Sequence, residues 1–355
     1  MDAKISNSSN VTEDLILETK FKTLFEVNFY LAVGYVIIVF VLSIVGVCGN
    51  TLIIYIMYME KKMNKHARAF IINMAIADLC VTGIADPMCI VGAFIGLDVL
   101  ESVPVLCVAT ASLCLTVCFC VFLNMLSLTV NRCIYICYNE TYSKIYNMKR
   151  VAVMCAGCWI VAITMEIGNF AGWGGHYFDP KSHQCIWDRT ASRSYTLFVS
   201  FVLITSPLLI IAYCNVAMIR KVLSVKTKQP ATKESSWKMM NASLSTARTL
   251  LAMFIVFLIC WTPYVAVICI DQYDEMSMEA HLFVTLLAHT HSSVICLVYI
   301  IFKKKFRDYV KRLFCCQSAV GPMLFSTDEH VGTGTTRTEP ISRISSHLTS
   351  SKTNM

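Results

Sequence analysis

The chain has 355 residues, of which 56% are apolar and 15% charged, and its mean hydropathy is +0.60. A soluble domain needs a more polar surface than this composition supplies, so we expect a membrane protein. The formal charge of +7 would by itself suit a nucleic-acid-binding protein. Because the charges lie in short islands between apolar stretches, we expect no nucleic acid as partner.

Seven apolar stretches lie between these islands, and each is long enough to cross a hydrocarbon layer of about 30 Å as a helix. Backbone polar groups in lipid need partners within their own segment, which requires helices. The predicted fold class is therefore an all-α membrane protein with a seven-transmembrane helix bundle over residues 29–302. The predicted spans are 29–57, 70–97, 103–136, 151–170, 195–219, 248–270 and 281–302.

The distribution of basic residues predicts the orientation of the bundle. With the amino terminus outside, about 24 of the Lys and Arg residues fall on the inner side and about 6 on the outer side. We therefore predict a multi-pass plasma-membrane protein with an extracellular tail, 1–28. The sequons at Asn7 and Asn10 then lie outside, where they could carry glycans.

Most of the 18 cysteines lie within the predicted spans, where a thiol behaves as a small apolar side chain. Cys107, at the outer start of the third span, and Cys185, in the loop between the fourth and fifth, are the clearly extracellular ones. Disulfides form in the oxidising compartment, so we expect these two residues to be bonded to each other.

Residues 303–316 follow the last span and alternate apolar and basic side chains at helical spacing. This pattern predicts an amphipathic juxtamembrane helix whose basic face contacts anionic lipid. Cys315 and Cys316 at its end are candidate palmitoylation sites. Residues 317–355 are rich in Ser, Thr and Gly, which is typical of a disordered cytoplasmic tail that can be phosphorylated.

Polar, aromatic and proline residues in the spans form an ordered set, with at least one member in each span. The set comprises Asn50, Asp78, Asn131, Arg132, Trp159, Pro207, Phe257, Trp261, Pro263 and Tyr299. In this order the residues resemble those of the rhodopsin-like (family 1) G-protein-coupled receptors. The resemblance covers nearly all of residues 29–316.

The resemblance implies a role for the polar residues in the spans. A carboxylate near mid-membrane, such as Asp78, is costly unless it is paired or hydrated. In the family the matching aspartate belongs to a polar network that often holds sodium, and Asn50 and Ser292 are the expected partners here. Arg132 would contact a heterotrimeric G protein when the sixth span moves outward.

The resemblance further implies that Trp261, one turn above Phe257, senses the ligand, and that Pro263 provides a hinge in the sixth span. Arrestin and receptor kinases are implied as additional partners. Two departures stand out, because Asn131 replaces the usual aspartate beside Arg132, and the asparagine and proline that usually precede Tyr299 are absent. These changes predict weaker constraints on the resting state.

Within this family, the chain resembles opsins and their close relatives, the melatonin receptors. Residues 173–188, including Asp179 at the place of a family counterion, are similar to the opsin second outer loop, whereas residues 131–137 are more similar to melatonin receptors. Opsins bind retinal through a lysine in the seventh span, but that position holds His289 and the span has no lysine. We therefore expect no covalent cofactor, as in placopsin-like relatives, and a non-covalent retinoid remains a candidate.

We predict a ligand pocket among the third, fifth, sixth and seventh spans for a small, largely apolar molecule. Cys114 stands where amine receptors present an aspartate, which argues against a cationic amine. His289 is either a buried, hydrogen-bonded histidine or a ligand contact, and either Asp86 or Glu166 could be its partner. The predicted lining comprises Cys114, Cys118, Asp179, Trp261, Tyr264 and His289.

Three other functions fit a polytopic chain. A melatonin-like receptor for another small apolar ligand is the nearest alternative. A channel or transporter could use Asp78, Asp86 and Glu166 for ions, but the sequence lacks inverted repeats. A membrane enzyme would need clustered metal ligands, whereas His289 and His291 should point to different sides of a helix, so we expect neither an enzyme nor a bound catalytic metal.

Overall fold

The computed structural model describes residues 23–59, 63–228 and 234–314, and seven helices within these ranges are long and apolar enough to cross a membrane. The predicted seven-helix bundle is thereby confirmed. In chain order, spans one to seven are Phe29–Met59, Lys65–Leu97, Pro104–Cys137, Met148–Phe170, Arg193–Ser224, Leu244–Ile270 and Met278–Phe302.

Capping side chains set where two of the spans begin. Span two starts at Lys65, earlier than hydropathy predicts, because the Asn64 side chain accepts hydrogen bonds from the backbone of His66 and Ala67. Span four likewise starts directly after Asn147, whose side chain caps the first turn. Hydropathy detects the segment that crosses lipid, whereas capping determines where the helix begins.

Spans two and five each contain a π-helical turn close to a proline. A proline lacks the backbone N–H and crowds the preceding turn, and a wider turn accommodates both effects. Span two consists of helices Lys65–Cys80 and Asp86–Ser102 around the π turn Val81–Ala85, with Pro87 following. Span five consists of Arg193–Phe198 and Ser206–Lys228 around Val199–Thr205, with Pro207 following.

Hydrogen bonds between side chains tie the spans together inside the bundle. Trp159 of span four donates its Nε1–H to Asn73 Oδ1 of span two at 3.0 Å, and Asn73 donates to Asn124 Oδ1 of span three at 2.6 Å. Water is absent from a hydrocarbon layer, so such polar groups must bond to one another. Large apolar side chains such as Phe40 and Leu209 cover the outside of the bundle instead.

A two-stranded hairpin covers one end of the bundle. Strands β1 (His176–Asp179) and β2 (Gln184–Trp187) pair antiparallel, and the predicted disulfide between Cys107 and Cys185 is confirmed, joining β2 to span three. A Cβ on Gly92 would lie 2.3 Å from the backbone oxygen of His183, so only glycine lets the hairpin approach span two this closely. We call this end the outer end and the opposite one the inner end, following the predicted orientation.

Short helices flank the bundle at Leu24–Val27, before span one, and at Asn139–Ile145, after span three. Span six lies within the longer helix Glu234–Ile270. The predicted juxtamembrane helix is confirmed at Lys304–Phe314. The buried ring of Phe306 in this helix stacks on the ring of Tyr299, with 5.1 Å between the ring centroids. The predicted modification sites Asn7, Asn10, Cys315 and Cys316, and the tail 317–355, lie outside the described residues.

Candidate functional site

An apolar cavity lies in the outer half of the bundle, below the hairpin. Four spans and strand β2 contribute to its walls. The structure brings together five of the six residues that the sequence analysis placed in a pocket, all except Asp179. The lining comprises Cys114, Leu115, Cys118, Phe119, Ile186, Trp187, Val199, Ile204, Trp261, Tyr264, Thr285, Ala288 and His289.

Strand β2 forms the roof of the cavity. Trp187 is 3% exposed and donates its Nε1–H to the hydroxyl of Tyr264 in span six at 3.0 Å. The Cys107–Cys185 disulfide holds this strand over the bundle. Sequence reasoning missed Trp187 as a lining residue, although its place two positions after the bridging cysteine puts it on the same face of the strand.

The π turn of span five supplies two further lining residues that the sequence analysis did not include. Val199 and Ile204 both lie in this turn, which has more residues per turn than an α-helix. Pro207, three residues after Ile204, was the available sequence signal for the irregularity. Hydropathy could not reveal it, because every residue around the turn is compatible with lipid or core.

Aromatic rings form the floor of the cavity. The ring of Trp261 packs edge-on against the ring of Phe122 in span three, with 4.8 Å between the ring centroids. The ring of Phe122 packs in turn against that of Phe257, with 5.2 Å between the centroids. The centroid of the His291 ring lies 5.4 Å from that of Trp261 and 5.1 Å from that of Phe257. The Trp261 Nε1–H is buried and has no hydrogen-bond partner within the described part of the chain, so it is available to a ligand.

The partner of His289 is Asp86. His289 Nδ1 lies 2.8 Å from Asp86 Oδ1, and His289 Nε2 lies 3.7 Å from the sulfur of Cys114. His289 therefore combines the two roles left open by the sequence, because it is buried and hydrogen-bonded and also lines the cavity. Glu166 bonds elsewhere, to His176 at 2.5 Å and Asn169 at 3.0 Å.

Asp179 does not join the cavity lining, and this corrects its expected place in the pocket. It lies at the end of β1, where Arg189 donates to its Oδ2 at 3.0 Å and Ser182 donates to the same oxygen at 2.7 Å. Arg189 also pairs with Asp274. The carboxylate is thus engaged by the hairpin and its neighbouring loop, which leaves Asp86 as the acid beside His289.

A second polar cluster lies in the middle of the bundle around Asp78. Both carboxylate oxygens of Asp78 and the Oδ1 of Asn50 are buried without a hydrogen-bond partner among the described residues. The Asn50 side chain donates to the carbonyl oxygen of Ser292 at 3.0 Å, and His291 Nε2 lies 3.7 Å from Asp78 Oδ1. The structure thus places Asp78, Asn50 and Ser292 together, with His291 as a neighbour that the sequence analysis did not assign to them.

Arg132 lies at the inner end of span three and is 8% exposed. Its guanidinium group lies over the ring of Tyr135 at 5.4 Å, while its Nε and one terminal nitrogen lack hydrogen-bond partners within the described ranges. Asn131, which replaces the usual aspartate, donates to the hydroxyl of Tyr142 instead, at 3.2 Å. Burial and the charge of Arg132 lower the pKa of Lys303 to about 8.

Asp271, Asp274 and His281 form the candidate metal cluster that the structure shows among the described residues. One ligand atom from each lies within 4.8 Å of the others. These atoms already have partners, because His281 bonds to Asp271 at 2.6 Å, and both Arg189 and Lys181 pair with Asp274. The charged groups of this cluster are therefore already paired with one another and with Arg189 and Lys181, at the outer end of the bundle.

Comparison with known proteins places this geometry in context. The sequence profile described as "7 transmembrane receptor (rhodopsin family)" matches residues 49–317. Human melatonin receptor type 1B is 28% identical over 283 residues, covering 78% of this chain and 76% of that receptor. Melatonin receptor type 1C of Xenopus laevis is 27% identical, covering 84% of this chain and 70% of the receptor.

The fold is also similar to a solved structure, the crystal structure of squid rhodopsin. The two superpose with a TM-score of 0.67 at 19% sequence identity, and the match covers 81% of this chain and 88% of the squid protein. At this identity the likeness concerns the fold alone. Both comparisons agree with the resemblance drawn from the ordered residues of the spans.

His183 lies at the turn of the outer hairpin in an unusual environment. It is 1% exposed, its φ is 49°, and neither ring nitrogen has a partner among the described residues. Burial lowers the pKa of His183 to about 4, although the nearby Asp179 charge opposes this shift. The folded hairpin therefore holds a neutral imidazole that an unfolded chain would protonate near pH 6.5.

We predict that acidification destabilises the hairpin through His183. The unfolded state binds the extra proton between about pH 6.5 and pH 4, so stability is complete above this window and falls by roughly 3 kcal/mol across it. His183→Asn keeps a residue that tolerates positive φ and removes the titration. The melting temperature, measured at pH 7.5 and pH 4.5, should fall less in this variant. An equal fall in both proteins would contradict the assignment.

Proposed function

The chain belongs to the rhodopsin family of seven-transmembrane receptors, and we propose that it transmits the binding of a small, largely apolar molecule to a heterotrimeric G protein. The observation that supports this is the aromatic contact from Trp261, at the floor of the cavity, to Phe122 and Phe257 below it. We place the protein in the plasma membrane with its amino terminus and the cavity mouth outside, since the loop charges favour that orientation.

A ligand in the cavity would act by a population shift. Contact with Trp261 changes how this ring packs on Phe122, and Pro263 lies two residues further along span six. Proline removes a backbone hydrogen bond, so the helix bends more readily there than elsewhere. A ligand that fits better when span six is displaced therefore favours the state with an open inner end.

The inner end supplies the groups that would meet the G protein. Arg132 is buried without a carboxylate partner among the described residues, so outward movement of span six would expose a guanidinium group with free donors. Arg220, Lys221 and Arg248 are exposed around the same end and add positive charge. Arrestin and receptor kinases would use this face as well, and membrane lipid would contact the juxtamembrane helix.

The G-protein proposal predicts a signal that depends on Arg132. Because Asn131 does not hold Arg132 as a carboxylate would, we expect second-messenger output above empty vector without added ligand. Arg132→Ala should reduce this output to the vector level, whereas Lys149→Ala, a change of an exposed cation at the inner end of span four, should leave it intact. Surface labelling confirms equal expression. Output at the vector level from the unmodified receptor at the surface would contradict the prediction.

The lining of the cavity favours an uncharged ligand. Its walls are apolar apart from a few hydrogen-bonding groups, and Cys114 offers no charge to an ammonium group. His289 cannot form an imine, so a retinoid would bind without a Schiff base. The named relatives are melatonin receptors, which favours a second candidate function, a receptor for melatonin or a similar small indole.

We predict that purified receptor in nanodiscs is stabilised by retinol or by melatonin, and not by serotonin, because the cavity lining contains no carboxylate for its ammonium group and Asp86 is paired with His289. A ligand at 100 times its dissociation constant stabilises by about 2.7 kcal/mol, which a thermal-shift assay detects. Ala288→Phe places a ring in the cavity and should abolish the shift, while Gly157→Ala, whose new Cβ meets open space, should keep it. Stabilisation by the cationic amine alone would contradict an apolar pocket.

We further propose that the cluster around Asp78 holds a sodium ion. Hard cations prefer oxygen ligands, and Asp78 and Asn50 present buried oxygens close to Ser292. His291 is the competing group. Its Nδ1 bonds to the carbonyl of Ala288 at 2.6 Å and must carry a hydrogen. Its Nε2 lies 3.0 Å from the hydroxyl of Ser292 and 3.7 Å from Asp78 Oδ1, so a proton shared by Nε2 with these groups would supply the same charge.

We predict that sodium chloride raises the melting temperature of the receptor relative to an equal concentration of choline chloride, and that Asp78→Asn removes the difference. Binding to the folded state alone produces such stabilisation. Equal stability of the unmodified receptor in both salts would contradict the sodium site. If a sodium effect then emerges in His291→Asn, the shared proton occupies this site in the unmodified protein.

A further inference from the structure

Three side chains from three spans line up at one wall of the cavity. Asp86 Oδ1 lies 2.8 Å from His289 Nδ1, and His289 Nε2 lies 3.7 Å from Cys114 Sγ. Asp86 is 2% exposed and His289 7% exposed. Asp86 is the first residue after the π turn Val81–Ala85, and such turns shift the following residues around the helix axis. The irregular helix thus helps to bring an acid to this histidine.

The hydrogen bonds define where the protons lie. A carboxylate only accepts, so the Nδ1 of His289 donates to Asp86 and its Nε2 carries a lone pair in the neutral ring. The thiol of Cys114 then donates to Nε2. An acid that orients a histidine, which in turn accepts the proton of a thiol, is the arrangement that activates a cysteine as a nucleophile.

A buried thiol–imidazole hydrogen bond could also be purely structural. Two observations favour a reactive role. Cys114 and His289 both line the cavity proposed for the ligand, so the sulfur lies beside the ligand space and is not enclosed by core on all sides. Trp261 lines the same cavity at 6% exposed, and its Nε1–H has no partner among the described residues. An unsatisfied buried donor points to a ligand that carries an acceptor oxygen.

We propose that the cavity takes an apolar aldehyde, which Cys114 binds reversibly as a thiohemiacetal. The sulfur forms a bond to the carbonyl carbon while the C=O π bond breaks, and the Cys114 proton passes to His289 and then to the new oxygen. Asp86 balances the charge on the imidazolium ring during this transfer. All atoms and electrons are accounted for by the thiol and the aldehyde alone. The inference rests on the ligand cavity of the proposed function and adds a covalent step to it.

In this scheme Cys114 is the nucleophile, His289 the base and Asp86 a positioning residue. The Cys114 sulfur would bind the aldehyde covalently, as the lysine amine does in opsins. Cys114 lies on span three, whereas that lysine lies on span seven. The chemistry also differs, because a thiohemiacetal removes the carbonyl from conjugation whereas an imine extends conjugation. An absorption spectrum therefore distinguishes the two.

The test uses the full-length receptor in nanodiscs with all-trans-retinal as a conjugated apolar aldehyde and all-trans-retinol as its alcohol control. Addition to Cys114 should shift the retinal band towards shorter wavelength, close to that of retinol. Retinal that is bound without a covalent bond keeps its own band, and a protonated imine absorbs at longer wavelength. His289→Lys, which places an amine beside the cavity, provides the imine reference.

Four variants assign the roles. Cys114→Ser should lose the short-wavelength shift and still bind retinol, while Cys48→Ser, a change of an exposed thiol on span one outside the cavity lining, should retain the shift. His289→Gln and Asp86→Asn should slow the addition by roughly 100-fold, in the range typical of general-base catalysis. The affinity of Asp86→Asn for retinol should remain within about twofold of that of the unmodified receptor, because Asp86 does not line this cavity, and this separates a positioning role from a structural defect.

The outcomes separate this inference from the proposed function. Retinol binding together with an unshifted retinal band overturns the thiohemiacetal and leaves the apolar pocket in place. A shift that persists in Cys114→Ser overturns the assignment of the nucleophile. If neither retinal nor retinol binds, while melatonin stabilises the receptor, the inference fails and the melatonin-like candidate stands.

Discussion

The absence of water inside a membrane is the constraint on which this structure depends. Each buried polar group in the bundle must find a partner on its own span or on another, or remain unsatisfied at considerable cost. The bonds from Trp159 to Asn73 and from Asn73 to Asn124 show the first solution, which joins spans two, three and four. The pair of His289 and Asp86 joins spans seven and two in the same way.

Three of the exceptions to this rule lie at places where function is proposed. Asp78 in the middle of the bundle, Trp261 at the cavity floor and Arg132 at the inner end all hold buried polar atoms without partners in the described part of the chain. Unsatisfied groups are uncommon in folded proteins and call for an explanation. The proposed function assigns a role to each of them, with Trp261 at the ligand cavity, Asp78 at the sodium site and Arg132 at the G-protein face.

The outer hairpin covers part of the cavity at the outer end of the bundle. The disulfide attaches strand β2 covalently to span three, and Trp187 of this strand donates a hydrogen bond to Tyr264. The ion pair between Arg189 and Asp179 links the same hairpin to the loop that follows it. The carboxylate that resembles an opsin counterion therefore has a local structural partner, which explains why it does not accompany His289.

The sequence by itself determined the number of spans, the disulfide pair, the juxtamembrane helix and the family, because these depend on hydropathy, compartment chemistry and the order of distinctive residues. It also named five residues of the cavity lining. Only the tertiary structure decided that Asp86 and not Glu166 pairs with His289, that Asp179 turns to Arg189, and that Cys114 lies next to the imidazole. The reason is the rotation of each helix about its own axis. Hydropathy locates a helix along the chain, but π turns and caps determine which neighbour each side chain faces. The hydropathy pattern of one sequence does not reveal this rotation.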